Sequence, residues 1–393
     1  MVAHLAGRRS RLPLAVAALL AAASAGALVP PVQAAPAPEP SHDRGLQRGL
    51  EQLVGVPGGP PGVIAVLTRG GRAEVYRAGV GDLGTGQPPH ATDHMRIASI
   101  AKAFSGAVAL RLVDQGKLSL DTTVGRLLPD LPTAWHKVTL RQMLNHTSGL
   151  PDFTGSAEFR AILTEDPHHV FDSRRLLDFA AGQPLAFRPG SRYQYSNSDN
   201  IAVALMAEAA TGCRYEDLLK RLVYQPLGLR QTSLPPGFRL PRPYLHGYAV
   251  DPPAPPEDVT ELFDTSGVWA SGAVVSTPAD LGRFFRGYAG GSLVSPHTRK
   301  EQRKFLPGAA SEPAGPGVNS AGLALFRYAT RCGVLYGHTG NTAGYTQLAA
   351  ATPDGRKSLT FSITTQISKS VKPELLPQLR KVQEDFACAL LRR

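Results

Sequence analysis

The stretch RIASIAKAFSGAVALRLVDQG, residues 96–116, decides how the rest of the chain is read. A helix is expected to open at Ser99, run through Ala109, Leu110 and Leu112 to about Gln115, and stop at Gly116. Working outward, the pattern on its amino-terminal side changes period. Val63 to Thr68, then Arg69-Gly-Gly-Arg72, then Ala73 to Ala78 read as an apolar run, a Gly-rich turn and an alternating strand, which predicts a hairpin. Before that hairpin, 41–53 has helical spacing, with Leu46, Leu50 and Leu53 on one face.

On the carboxy-terminal side, helices and loops are expected to about residue 265. Examples are Thr139 to Leu144, Arg174 to Ala181 and Asn200 to Ala210, and a Pro-rich surface connection follows over 235–256. Ser276-Thr-Pro-Ala-Asp280 supplies a cap, a first-turn Pro and an acid, so a further helix runs to about Tyr288. Strand signals then return at Gly322 to Tyr328, Val334 to Tyr336, Gly344 to Ala351 and Leu359 to Thr365, ahead of a last helix over about Pro377 to Leu391. Strands at both ends around a helical middle predict an α+β fold. One antiparallel sheet would be flanked by the terminal helices, with a mostly helical subdomain inserted at about 115–265. A doubly wound parallel fold would need strands alternating with helices throughout.

The first residues bear on compartment. Arg8, Arg9 and Arg11 precede an apolar run from Leu12 to Val29, and Val32-Gln33-Ala34 offers a small-residue cleavage site, so 1–34 is expected to be a signal peptide. Residues around Arg8-Arg9 fit a twin-arginine signal poorly. Ala35 to Pro40 reads as a Pro-rich spacer, and 41–393 as the folded domain. Cleavage lowers the formal net charge from +11 to +8. The basic residues are scattered rather than clustered, which argues against nucleic acid. No second long apolar segment is present, so the expected product is a secreted, extracellular or wall-associated protein with no stable membrane anchor, and a monomer. Of Cys213, Cys332 and Cys388, two are expected to pair in an oxidising compartment, and three pairings are open.

Three short elements carry chemistry. In Ser99-Ile-Ala-Lys102, the only Ser with Lys three residues on, helical spacing places the ammonium one turn from the hydroxyl. A Ser hydroxyl needs a base in contact with it, and a partly desolvated Lys with lowered pKa can be that base. Tyr195-Ser196-Asn197, the only Tyr-x-Asn, offers a phenol that can ionise or shuttle protons and an amide that can hold a carbonyl or the lysine. Tyr336-Gly-His338-Thr339-Gly340-Asn341 reads as a strand whose glycines allow close approach and whose His338 and Thr339 line a cleft.

Taken in order, Ser-x-x-Lys, Tyr-x-Asn and His-Thr-Gly resemble the three-element active site of penicillin-recognising serine enzymes. From about residue 50 to the end, the chain resembles the class C β-lactamase and D-alanyl-D-alanine carboxypeptidase family. Leu110 to Leu120, Leu144-Asn-His-Thr-Ser-Gly-Leu150 and Gly344-Tyr345 also carry the likeness. The resemblance implies that Ser99 attacks the carbonyl, that Lys102 and Tyr195 move its proton, and that Asn197 binds the substrate amide. Backbone N–H groups of Ser99 and Asn341 would form the oxyanion hole. It places His338, Thr339, Asn341 and Trp269 at the substrate, and looks most like the soluble actinobacterial D,D-carboxypeptidases. In that subgroup the implied disulfide is Cys332–Cys388, which leaves Cys213 free. Expected ligands are a small peptide or β-lactam and cell-wall peptidoglycan, with no cofactor and no metal.

The chain departs from that subgroup where a terminal carboxylate is gripped. By spacing from Cys332, the Arg position falls on Phe326 with Arg327 adjacent, and the Thr after His-Thr-Gly is Asn341. The rival activities are β-lactamase, esterase or D-amino-acid amidase, and a non-catalytic penicillin-binding sensor. Other designs lack their residues. There is no G-x-S-x-G and no H-E-x-x-H; His168-His169 reads as a surface loop, His146 as structural, and Gly290-Gly291 lacks a phosphate-loop context.

Overall fold

A computed structural model describes residues 43–392; the expected signal peptide and spacer lie outside the described residues. One eight-stranded, wholly antiparallel sheet organises the chain. Its strands are β1 (Gly62–Arg69), β2 (Arg72–Gly79), β3 (Leu306–Pro307), β4 (Val318–Ala321), β5 (Phe326–Thr330), β6 (Gly333–Thr342), β7 (Tyr345–Ala351) and β8 (Lys357–Ile363), in the order β2-β1-β8-β7-β6-β5-β4-β3. The first hairpin thus sits beside the last strand of the sheet, with Val63 opposite Ile363. Gly70 and Gly71 turn it at φ of 54° and 80°, the doubly positive geometry that a two-residue hairpin turn requires.

Each face of the sheet is covered. On one lie α1 (Arg44–Gly55) and α5 (Leu376–Leu391), where Leu46, Leu50 and Leu53 meet Phe361, Phe386 and Leu390 in one core. On the other lies a larger core with α2 (Ala101–Asp114), α3 (Asn197–Thr211) and α4 (Pro278–Gly290). Covering on both faces explains why β7 is buried at every position rather than at alternate ones. It also explains α2, which is buried from Ala101 to Leu110 and reads as apolar all round rather than striped. Gly106 is needed there, because a Cβ would lie 2.0 Å from that of Ala324.

Several sequence expectations move by a few residues. The helix expected from Ser99 begins as one 3-10 turn, Ala98–Ile100, before α2. The helix expected at Arg174 to Ala181 is cut to Asp178–Ala181, and the strand expected at Val334 to Tyr336 extends to ten residues, Gly333–Thr342. The 235–256 connection is not purely a surface feature: Leu240, Leu245 and Tyr248 are buried, and Tyr248 bridges to Thr365. Cys332, in the β5–β6 turn, is disulfide-bonded to Cys388 of α5, and Cys213 is free.

Candidate active site

The three elements converge where the helical side meets β6. Ser99 sits on the 3-10 turn just before α2, and the residue ahead of it, Ala98, is held at φ 47°. A non-glycine residue there is uncommon and strained, and persists only where its surroundings enforce it. β6 is the enforcing neighbour: a Cβ on Gly340 would lie 2.3 Å from the Ile97 carbonyl oxygen and 3.1 Å from the Ser99 nitrogen, so the strand can close on this turn only through a glycine.

Lys102, one turn into the helix, is 1% exposed, and its Nζ has three partners: Ser99 Oγ at 3.0 Å, Asn197 Oδ1 at 2.8 Å and the Ser271 carbonyl oxygen at 2.8 Å. Burial lowers its pKa from the ordinary 10.5 to about 7, although Asp152 and Asp199 pull the other way. A neutral amine has two N–H donors and one lone pair. With Asn197 and Ser271 taking the donors, the lone pair is left for the Ser99 hydroxyl proton. That is the geometry of a general base.

Tyr195 is half-buried, with its ring 5.0 Å from Lys102 Nζ, and its buried hydroxyl lies beside Ser99 without being aligned for a hydrogen bond. Burial pushes its pKa well above the ordinary phenol value. The free protein therefore carries Tyr195 as a neutral phenol, and Lys102 is the group poised to take a proton near neutrality.

Asn197 begins α3, and its amide is oriented from behind. Asp152 Oδ2 accepts from both the Asn197 side-chain Nδ2, at 2.9 Å, and its backbone N–H, at 3.0 Å. Sequence reading did not single out Asp152; its one signal is the Pro-Asp turn directly after the 144–150 motif. That motif also supplies His146, whose Nδ1 is 2.7 Å from buried Asp199, while Ser148 Oγ donates to the same carboxyl at 2.5 Å. The His146 ring lies 4.5 Å from that of Tyr195, and burial beside Lys102 lowers its pKa to about 3. His146 is thus a neutral wall behind the phenol.

Other expected residues are placed differently. A pocket of about 300 Å³ opens at Ser99, and Tyr195, Asn197 and Asn341 line it with Arg96, Thr154, Glu312 and Thr342, but His338, Thr339 and Trp269 do not. His338 is wholly buried, with Nδ1 at 2.5 Å from the Thr339 carbonyl oxygen, its ring edge-on to Phe326 at 4.9 Å and Nε2 unpartnered. Burial, with the nearby Lys102 charge, lowers its pKa to about 3. Thr339 Oγ1 lies 2.6 Å from both Ser311 Oγ and the Pro313 carbonyl oxygen, so it anchors the loop before β4. Trp269 meets Tyr215 edge-to-face, lies under the Arg174 guanidinium and donates to Glu216 at 3.1 Å, away from the pocket. Its stretch does serve the site, through the Ser271 carbonyl. A main-chain acceptor carries no side-chain signature by which sequence could have shown it.

A family model described as Beta-lactamase matches residues 49–383. The chain belongs to the beta-lactamase family. Its fold is the β-lactamase/transpeptidase-like arrangement. Penicillin-binding protein 4* of Bacillus subtilis (strain 168) is 26% identical over 277 residues, which are 67% of this chain and 59% of that protein's length. The chain therefore matches about three fifths of that relative. A D-stereospecific amidohydrolase from Streptomyces sp. superposes with a TM-score of 0.73 at 28% identity, over 83% of this chain and 95% of that one. D-amino acid amidase from Ochrobactrum anthropi SV3, in complex with L-phenylalanine amide, gives 0.74 at 26%, over 88% and 98%. Among the described residues of this beta-lactamase-family chain, no helix is long and apolar enough to cross a membrane, and no cluster suited to a metal ion occurs.

Proposed function

We propose that this chain is a secreted enzyme that hydrolyses amide bonds of D-amino-acyl donors through an acyl-enzyme on Ser99, and that penicillins acylate the same residue. The observation that carries the reading is Lys102 Nζ at 3.0 Å from Ser99 Oγ with its pKa brought to about 7. In the proposed cycle, Lys102 takes the Ser99 proton as Oγ bonds to the carbonyl carbon. Tyr195 passes a proton to the leaving nitrogen as the C–N bond breaks, and water then releases the acyl group by the reverse relay. Backbone N–H groups of Ser99 and Asn341 hold the oxyanion. Export follows from residues 1–34, and peptidoglycan fragments are the natural source of D-amino acids outside the cell.

A second reading is the D-alanyl-D-alanine carboxypeptidase, and a relative with that activity in its name, AmpH of Escherichia coli (strain K12), is 27% identical over 253 residues. Its substrate ends in a carboxylate that needs a bidentate cation. Phe326 stands against His338, and the pocket's Arg96 already commits Nε and Nη2 to the Thr260 and Phe238 carbonyl oxygens. The amidase reading leaves no such anion to satisfy. Incubating the mature protein and Ser99→Ala with a fluorescent penicillin, a D-amino-acid amide and an acyl-D-Ala-D-Ala peptide separates the readings. Amide turnover exceeding release of D-Ala supports the first, and the reverse supports the second. Fast drug turnover would mark a β-lactamase. A wild type that takes no label and cleaves neither substrate, or a Ser99→Ala variant that stays active, would overturn the mechanism.

A further inference from the structure

We infer that Trp269 is a positioning residue for proton transfer: its indole, pinned by Glu216, holds the turn whose Ser271 carbonyl oxygen faces Lys102 Nζ. The inference deepens the acyl-enzyme reading of Ser99 and rests on that reading for its place in a reaction.

Two oxygens, Asn197 Oδ1 and the Ser271 carbonyl, accept from Lys102 Nζ, each at 2.8 Å. Only with both in place is the lone pair of the neutral amine left facing Ser99. The Asn197 oxygen is fixed by the two bonds its residue makes to Asp152. The Ser271 oxygen sits on the four-residue helix Trp269–Gly272, and one turn of helix is too short to hold its own shape. Its first residue is strained as well. Trp269 has φ 24°, where a bulky residue persists only if its surroundings enforce it.

The contacts of the indole supply that enforcement. It is 3% exposed, meets Tyr215 edge-to-face with centroids 5.2 Å apart, lies 5.0 Å under the Arg174 guanidinium and donates from Nε1 to Glu216 Oε1 at 3.1 Å. Glu216 is braced in turn. Arg174 Nη2 reaches its other oxygen at 3.3 Å, while Nε and Nη2 of the same guanidinium grip Glu208 at 2.9 and 2.6 Å. Glu208 Oε1 also accepts from the Tyr215 backbone N–H at 2.7 Å. Glu208 lies about three turns along α3 from Asn197, so one helix governs both oxygens that face Lys102. It carries the Asn197 oxygen directly and reaches the Ser271 oxygen through Glu208, Arg174, Glu216 and Trp269. None of these four side chains lines the pocket at Ser99, so their effect on the reaction passes through the carbonyl. That carbonyl binds the ammonium form of Lys102 more strongly than the amine. Displacing it lowers the Lys102 pKa further and frees the amine to turn away from Ser99.

Two variants of the mature protein test this from opposite ends of one bond. Trp269→Phe keeps an aromatic ring and removes the indole N–H, whereas Glu216→Ala removes the acceptor and leaves the indole. In either, the plateau rate of acylation by a chromogenic β-lactam should fall about 10- to 100-fold, the range for a displacement on the order of 1 Å. The double variant should be no slower than the slower single one. Glu216→Gln, whose amide oxygen still accepts from the indole, should recover most of the loss. The Lys102 titration, read by NMR on lysine-labelled protein, should move in both single variants from about 7 to about 6. A wild-type rate in either folded variant overturns the inference. So does slower acylation with an unmoved Lys102 titration, which marks a purely structural tryptophan, or with a titration moved upward, which marks water reaching Lys102. The NMR reading needs no turnover. A wild type that takes no penicillin label, beside the expected titration shift, would sink the acyl-enzyme reading and leave the control of Lys102 by Trp269 standing.

Discussion

The Asn197 side-chain nitrogen donates to Asp152 at 2.9 Å, and this bond decides which end of the amide faces Lys102. With Nδ2 turned to the carboxylate, Oδ1 must face Lys102 Nζ, where it accepts at 2.8 Å. The amine is thereby deprived of one donor direction and aimed at Ser99. Asp152 acts on the lysine in a second way, since its charge favours the ammonium form and opposes the effect of burial.

Replacing Asp152 with Ala should therefore do two separable things. The Asn197 amide loses its anchor, and the acylation rate constant should fall about 10- to 100-fold, in proportion to a charge-assisted hydrogen bond. The Lys102 pKa should also drop, because the anion that stabilised its charged form is gone. The activity rise on the acid side then moves to lower pH. Stopped-flow acylation by a chromogenic β-lactam across pH gives both readings, and an unmoved acid limb would refute the electrostatic half.

Lys102 itself sets the pH dependence of the wild type. Only the neutral amine can accept the Ser99 proton, so acylation should climb through pH 7 and level off above it, where an ordinary lysine would still be charged. Lys102→Arg keeps the positive charge and cannot deprotonate, so its acylation rate should fall by about 10²- to 10⁴-fold at every pH. A flat profile between pH 5 and 9 in the wild type would remove Lys102 as the base.

The buried Asp199 serves structure more than chemistry. It accepts from Ser148 Oγ and partners His146 Nδ1, with all three residues buried, so Asp199→Ala strands two polar groups in an apolar setting. A loss of about 3 kcal/mol is expected, from leaving two buried neutral polar groups without partners. It should appear as a lower thermal midpoint, with residual activity falling as the His146 wall behind Tyr195 loosens. An unchanged midpoint would show that the site relaxes or fills with water.

The disulfide is expected to act on the unfolded chain. Cys332 and Cys388 are 56 residues apart, and closing a loop of that length is worth about 4 kcal/mol on chain-entropy grounds. Serine at both positions should lower the thermal midpoint while leaving the penicillin-labelling rate at 25 °C near the wild-type value, because the bond ties a turn to α5 on the face of the sheet away from Ser99. A loss of labelling in a folded double mutant would refute that separation.

How much of this was legible beforehand depends on what kind of signal each feature leaves. Period and turn residues gave the sheet strands and the covering helices, since the hairpin glycines and the Leu46, Leu50, Leu53 stripe are dictated locally. Ser99, Lys102, Tyr195 and Asn197 could be grouped only through their order along the chain, because no local period brings residues a hundred positions apart together. His338 and Trp269 fall outside the lining of the pocket at Ser99 for a related reason: a motif tells that a residue sits on the right strand or turn, not which way its side chain points. Asp152 and the Ser271 carbonyl were illegible because their roles come entirely from what the fold sets opposite them.

Gly340 tests the closest contact in the site. A methyl group there would lie 2.3 Å from the Ile97 carbonyl oxygen and 3.1 Å from the Ser99 nitrogen, both backbone atoms that cannot swing aside. Either β6 withdraws or the 3-10 turn rotates, and both outcomes change the separation between the backbone N–H groups of Ser99 and Asn341 that are proposed to hold the oxyanion. A displacement on the order of 1 Å at a catalytic geometry is enough to lower the rate about 100-fold. Gly340→Ala is therefore expected to slow acylation by that factor while the Ser99–Lys102 pair stays in place on its own turn. The pH at which activity rises should accordingly stay near 7 even as the plateau falls. If the variant labels with penicillin as fast as the wild type, β6 does not set the oxyanion geometry and the proposed donor pair is wrong. If the plateau and the pH midpoint move together, the strand instead controls the burial of Lys102.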